Sequence, residues 1–218
     1  MIYLQATTIQ VTKVESVIDI ILKAGWILLP ILLMSIIAVF YIIERFSVIN
    51  SVSKIDQKFI DEVCKRIKNK DYSGAIDIGK KYDHPVGRIL LTNLANPKLP
   101  VKEIEQTIAE DAKSEAFLLE KNMSYIGIVA TVAPMFGFLG TIFGVIRIFY
   151  NISLSDNISI GIIAGGLYQK MVSSASGLTV GIIAYAGYYY LNTMIDKFIH
   201  RMEISLTQVV RALRDTGY

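Results

Sequence analysis

Three runs of this chain carry almost no charge, and each is long enough to cross a lipid bilayer. Residues 24–43 and 122–146 contain no Asp, Glu, Lys or Arg, and residues 158–195 contain only Lys170. A helix rises about 1.5 Å per residue, so about 20 apolar residues span a hydrocarbon core about 30 Å thick. Each run therefore reads as a membrane-spanning helix. Composition agrees: the 218 residues are 53% hydrophobic with mean hydropathy +0.47, too apolar for an ordinary soluble domain. The expected fold is an all-α integral membrane protein, with three transmembrane helices and long cytoplasmic helical extensions.

The remaining segments fall between these runs. Residues 1–23 predict an amphipathic helix at the outer, periplasmic surface. Thr12 and Glu15 fit a capping box there, and Val14, Val17, Ile18 and Ile21 recur at helical spacing. The first span is 24–44, opened by Trp26 at the lipid–water boundary, with Pro30 in its first turns, and closed by Glu44-Arg45. Residues 45–121 hold 14 basic and 12 acidic side chains and predict a cytoplasmic helical lobe. Helical spacing marks Ile55–Lys68, Tyr72–Tyr82 and Val101–Lys121, with breaks at His84-Pro85 and between Asn96 and Pro100. No strong breaker separates Val101–Lys121 from the second span, 122–150, which leaves one continuous helix open. A short periplasmic link at 151–157 leads to the third span, 158–195. Residues 196–218 predict a cytoplasmic helical tail whose stripe is Phe198, Ile199, Met202, Leu206, Val209, Val210 and Leu213. The lobe and tail hold 18 of the 22 Lys and Arg, and the 151–157 link holds none. Positive charge stays inside, so the amino end is expected outside and the carboxyl end in the cytoplasm.

Little here suggests bond-making chemistry. Cys64 is the sole cysteine, so the chain has no internal disulfide and no metal-ligand spacing. His84 and His200 stand apart in polar contexts and read as surface residues. No nucleophile-elbow, phosphate-loop or metalloprotease pattern occurs. The expectation is a protein that is not an enzyme, with no metal, no cofactor and no nucleic-acid partner.

The second and third spans carry the informative pattern. Lipid gives helices no hydrophobic drive to associate, so they pack through small residues that let backbones approach. Ala133, Gly137, Gly140 and Gly144 share one face of the second span, with Pro134 beside them as a packing kink. Gly177 and Gly181 form a small-xxx-small pair on the third. These seven read as helix-packing residues that let identical subunits assemble around an axis, in contact with lipid. Thr141, Ser174 and Gln169 are the candidate polar lining. Trp26, Arg147 and Lys170 read as interface anchors. A lysine in a cation pore would repel its cargo, so Lys170 is expected to reach the outer interface or to pair outside the lumen.

Those residues bring a family into view. Gly25-Trp26, Pro30, Ser35 and Glu44-Arg45 in the first span resemble the MotA/TolQ/ExbB proton-channel family. So do Ala133-Pro134-x-x-Gly137-x-Leu139-Gly140-Thr141-x-x-Gly144 in the second span and Gly166-Leu-Tyr-Gln169-x-Met-x-Ser-Ser174-Ala-x-Gly177-Leu in the third. Three spans resemble the ExbB/TolQ branch, ExbB most, rather than the four-span flagellar stator. The resemblance implies an inner-membrane motor subunit of a Gram-negative bacterium that couples proton motive force to envelope work. TonB-dependent outer-membrane uptake comes first, with a Tol-type or motility motor, or a non-conducting scaffold, as the alternatives. It implies a homopentamer around two copies of a single-span ExbD/TolR-like partner that supplies a membrane aspartate, working with a TonB-like protein. Thr141 matches the family's threonine in the second span. Ser174 stands where a threonine is usual. Gln169 stands where some members carry glutamate, and an amide holds no proton at ordinary pH.

Overall fold

The structure, a computed structural model, describes residues 26–94, 100–154 and 160–216, and within them not the side chains of residues 162 and 169. The amphipathic helix expected at 1–23, residues 155–157 of the 151–157 link and most of the break before Pro100 lie outside the described residues. Seven helices follow in order among those described: α1 Leu28–Val52, α2 Gln57–Lys68, α3 Tyr72–Lys81, α4 Pro85–Leu94, α5 Val101–Glu120, α6 Met123–Ser153 and α7 Ile160–Asp215. No strand occurs among these residues, and α1, α6 and α7 are long and apolar enough to cross a membrane.

The chain divides into two compact units. One comprises Met1–Met34 and Val132–Gly181; the other comprises Ser35–Thr131 and Ile182–Tyr218. The second unit contains the charged lobe. Asp56 opens α2 by accepting the Lys58 amide at 2.9 Å, leaving Lys65, Arg66 and Lys68 at the end where the helix dipole favours cations. Phe59, Ile60, Val63 and Ile67 form its buried stripe. Lys70 then turns the chain in the left-handed region, at φ 58°. Asp71 caps α3 through the Gly74 amide at 3.0 Å and pairs with Arg66 at 2.8 Å. Both contacts hold the Asp71 carboxyl below the usual carboxylate range, the Gly74 amide contributing most.

Three features differ from the sequence expectation. First, His84-Pro85 does not simply interrupt helix; it starts one. Proline at the first position of α4 loses an amide that would be unbonded anyway. Second, α5 and α6 are separate helices. Asn122 adopts φ 67° between them, and asparagine tolerates the left-handed region better than most side chains. Third, α7 runs without interruption from Ile160 to Asp215, so the third span and the tail are one helix. Its tail part buries Phe198, Met202, Leu206, Val209, Val210 and Leu213. Arg214 bonds Glu105 of α5 at 2.9 Å, and Arg88 of α4 grips Glu115 of α5 with bonds of 2.9 and 2.7 Å.

His84 corrects a reading. It is 5% exposed rather than a surface residue. Its Nε2 lies 3.0 Å from the carbonyl of Val52, the last residue of α1, and its Nδ1 accepts the Val86 amide at 3.3 Å. The ring stacks on Tyr82 and meets Phe198 edge-on. With the proton on Nε2, the neutral ring satisfies both bonds; a second proton on Nδ1 would break the bond to Val86. Burial pushes the His84 pKa below its ordinary value. The Arg88 guanidinium adds to this, while the Val52 carbonyl, Glu115 and Asp83 oppose it.

A folded pKa below the unfolded one gives a definite sign. The unfolded chain binds the proton first, so stability from this ring is complete above the ordinary value near pH 6.5 and is lost as pH falls below it. Amide-exchange protection in α2–α4 is expected to drop between pH 7 and pH 5. His84→Ala should cost about 1–3 kcal/mol at pH 7, because buried bonding groups lose their partner, and should flatten that slope. An unchanged slope in His84→Ala would assign the pH dependence to another group.

Candidate functional site

The candidate site lies in the first unit, where α6 meets α7. Spacing alone puts Ala133, Gly137, Gly140 and Gly144 on one side of α6. The structure sets that side against α7, with almost no side chain between the two backbones. A Cβ on Gly137 would lie 3.0 Å from the Ser174 carbonyl oxygen and 3.2 Å from the Gly177 Cα. A Cβ on Gly177 would lie 2.6 Å from the Ala133 carbonyl oxygen. Gly140 faces the Ser173 hydroxyl and Ile27, and Gly166 faces Ile148. Ala133 and Ser173 are fully buried. Gly181 is also buried, and Pro134 sits half-buried inside an unbroken helix. Its missing amide leaves the Ala130 carbonyl without its usual partner.

These contacts fix the register. Ala133 and Gly137 meet Gly177, Gly140 meets Ser173, Gly144 meets Lys170, and Ile148 meets Gly166. Numbers rise on one helix as they fall on the other, so the pair is antiparallel. Thr141 is one residue past Gly140, and Ser174 one past Ser173. A step of about 100° from the contact line turns both toward the same side of an antiparallel pair, at one level. Gln169 stands five residues before Ser174, about 140° around the helix, so it falls on the opposite flank. Its side chain lies outside the described residues.

The hydroxyls differ in what they bond. Thr141 Oγ1 donates to the Phe138 carbonyl at 2.6 Å. Ser173 bonds the Lys170 carbonyl at 2.8 Å, and Ser176 the Val172 carbonyl at 2.9 Å. Such bonds to the preceding turn are the ordinary fate of hydroxyls in apolar helices. Ser174 departs from this: it is half-buried and its hydroxyl makes no hydrogen bond to any described residue. Thr141 keeps its lone pairs, so both residues can accept a bond from a third group. No cluster of three or more His, Cys, Asp or Glu suited to a metal occurs among the described residues.

The three residues expected as anchors have separate surroundings. Trp26 is 74% exposed, as suits a ring that meets lipid headgroups. Arg147 is exposed on α6. Lys170 is half-buried, and its stem occupies the space that the missing side chain of Gly144 leaves open. Sequence reasoning missed that contact. The signal was there, since Gly144 continues the small face one turn beyond Gly140 while the residue it meets is large.

An antiparallel pair of long apolar helices, joined along glycine and edged by two hydroxyls, belongs to a multi-pass helical membrane protein. The family model of the MotA/TolQ/ExbB proton channel family matches residues 81–204. The chain belongs to that family and is an ExbB/TolQ-type member of it. It is 26% identical over 163 residues to putative biopolymer transport protein ExbB-like 3 of Synechocystis sp., covering 74% of this chain and 78% of that one. It is 24% identical over 194 residues to the Tol-Pal system protein TolQ of Haemophilus influenzae, covering 82% and 85%. It is 24% identical over 196 residues to a putative biopolymer transport protein ExbB homolog of Methanothermobacter thermautotrophicus, covering 85% and 66%. Members of the ExbB/TolQ type generally work with ExbD/TolR partners.

Proposed function

We propose that this chain is the channel-forming subunit of an inner-membrane motor that passes protons beside a partner's carboxylate and couples their flow to envelope work. The observation that carries the reading is the free hydroxyl of Ser174 on the same flank and level as Thr141. Neither residues 122–146 nor residues 158–195 contain an Asp or Glu. A hydroxyl does not titrate at physiological pH, and proton paths through membranes run through ionisable groups or water beside them. The carboxylate must then come from another chain, and an aspartate on a single-span ExbD/TolR-like helix fits that need. Five copies of this chain around two copies of that helix is the assembly we favour.

TonB-dependent uptake is the first assignment, in keeping with the ExbB-named relatives of Synechocystis and Methanothermobacter. Tol-type envelope work is the second, favoured by the TolQ relative that spans 82% of the chain. In liposomes, the chain alone is expected to pass almost no protons, and the chain with its partner is expected to pass them. Robust flux through the chain alone would sink the proposal, as would none with the partner.

The orientation proposed is amino end outside, carboxyl end in the cytoplasm, from the 18 basic residues of lobe and tail. Cys64 reports on it. In intact cells it should resist a membrane-impermeant maleimide until the membrane is opened, whereas a cysteine placed at Ser155 should react at once. Burial pushes the Cys64 thiol pKa up, so its labelling after permeabilisation should be slow at pH 7 and faster at pH 9. Fast labelling of Cys64 from outside would reverse the orientation.

A further inference from the structure

A charged side chain within an apolar span is costly, and such groups pair with an opposite charge or line a path. Lys170 is the sole charged residue between Ile158 and Ile195. It does not lie loose on a lipid-facing side. Its stem runs along α6 at Gly144, where an added Cβ would overlap Cγ and lie 2.6 Å from Cε. Its helix face is the one that carries Gly166 and fully buried Ser173. No ion pair to Lys170 occurs among the described residues. The charged residue on α6 is Arg147, and the part of α1 in this unit, Leu28–Met34, has none, so neither helix offers an anion. Among the described residues the cation has a slot at Gly144 and no counter-charge.

We propose that Lys170 is a docking cation for a carboxylate carried on another chain's membrane helix, with Gly144 as the slot that holds it ready. This rests on the single-span partner of the function proposed above. Lys170 stands four residues from Ser174, about 6 Å along the helix axis, within reach of a group at the level of the two hydroxyls. An ionised carboxylate there is held by Lys170; on taking up a proton it loses that hold and is left to Thr141 and Ser174. The lysine then favours the ionised form, and docking weakens as pH falls. The seam-facing, half-buried position favours a protein carboxylate over a lipid phosphate.

The test reads binding rather than flux, so it stands apart from the liposome test of conduction. The labelled partner, native or with its membrane Asp→Asn, is titrated onto the assembled chain in phosphatidylcholine vesicles at pH 7.5. The parent chain should hold the native partner about tenfold more tightly than the Asn form, the effect of one charge-assisted bond. Lys170→Gln keeps a long stem for the slot and removes the charge, and it should abolish that preference; Lys170→Arg should keep most of it. Lys170→Met is the second neutral variant, should Lys170→Gln fail to assemble by native mass measurement. A tenfold preference that survives in either neutral variant overturns the proposal. So does a Lys170 effect that follows the phosphatidylglycerol content of the vesicles and ignores the partner's aspartate, which would make the ligand a lipid headgroup.

Discussion

Replacing Gly177 by leucine is expected to remove the folded protein from the membrane. A side chain there would begin 2.6 Å from the Ala133 carbonyl oxygen, 2.8 Å from the Gly137 Cα and 3.0 Å from the Gly137 nitrogen. All three atoms are backbone, so no change of rotamer relieves the clash, and the helices must separate. Overpacking a core costs about 1–3 kcal/mol even where side chains yield; with none to yield, about 3 kcal/mol or more is expected, roughly a hundredfold in the folding equilibrium. Gly140→Leu should be milder, since a Cβ there first meets the Ser173 hydroxyl and Ile27 side chain. Gly165→Ala has nothing within 4 Å and should be silent, as should Ile36→Leu, whose side chain is 59% exposed. Folded yield in detergent and native mass measurement give the ranking. Equal yields for Gly177→Leu and Gly165→Ala would mean that the two backbones are not in contact.

Thr141→Val is expected to cut proton flux through the assembled channel about tenfold or more while leaving assembly intact. Valine keeps the branched shape, so packing beside Gly140 survives. What disappears is an oxygen whose donated bond goes to Phe138 and whose lone pairs remain able to accept another bond. A hydrogen bond to a charged group is worth about 1.5–3 kcal/mol, which sets the size of the effect. Ser174→Ala should act similarly, because its hydroxyl bonds no described residue. Ser176→Ala is the control, since Ser176 stands two residues past Ser174, about 200° around α7 and off the flank that Thr141 and Ser174 share. Equal flux in Thr141→Val and the parent would remove Thr141 from the path.

The fold was legible where chemistry is periodic or uniform. Twenty or more uncharged residues in lipid leave the backbone few options, so the long helices could be read directly. Ends and joints were harder, because they turn on single residues. At Asn122 one left-handed residue breaks what otherwise scans as continuous helix. Glu44-Arg45 looks like a stop, yet α1 continues to Val52 with Arg45 only 5% exposed and its guanidinium on Glu44. His84 looked like a surface histidine because its neighbours in sequence are polar; the apolar groups that cover it arrive from Phe198, over a hundred residues away. At the candidate site, the small-residue face was visible as spacing. Its partners were not, since spacing on one helix says nothing of register against another. That Thr141 and Ser174 share a flank follows only from Gly140 meeting Ser173, a register no single helix reveals.

The glycine seam also has a genetic meaning. Every missense change of a glycine codon adds at least one carbon, so Gly137 and Gly177 have no conservative alternative: the smallest possible error already intrudes on a neighbouring main chain. Elsewhere in an apolar span a Leu-for-Ile exchange passes unnoticed. A saturation library would therefore show a ladder of forbidden positions, three or four residues apart, on helices that otherwise accept nearly any greasy residue. Reversion would have few routes. A second-site change cannot shave a backbone that already lacks side chains, so suppressors should arise where a side chain still stands in the seam, as Lys170 does beside Gly144 and Ile148 beside Gly166.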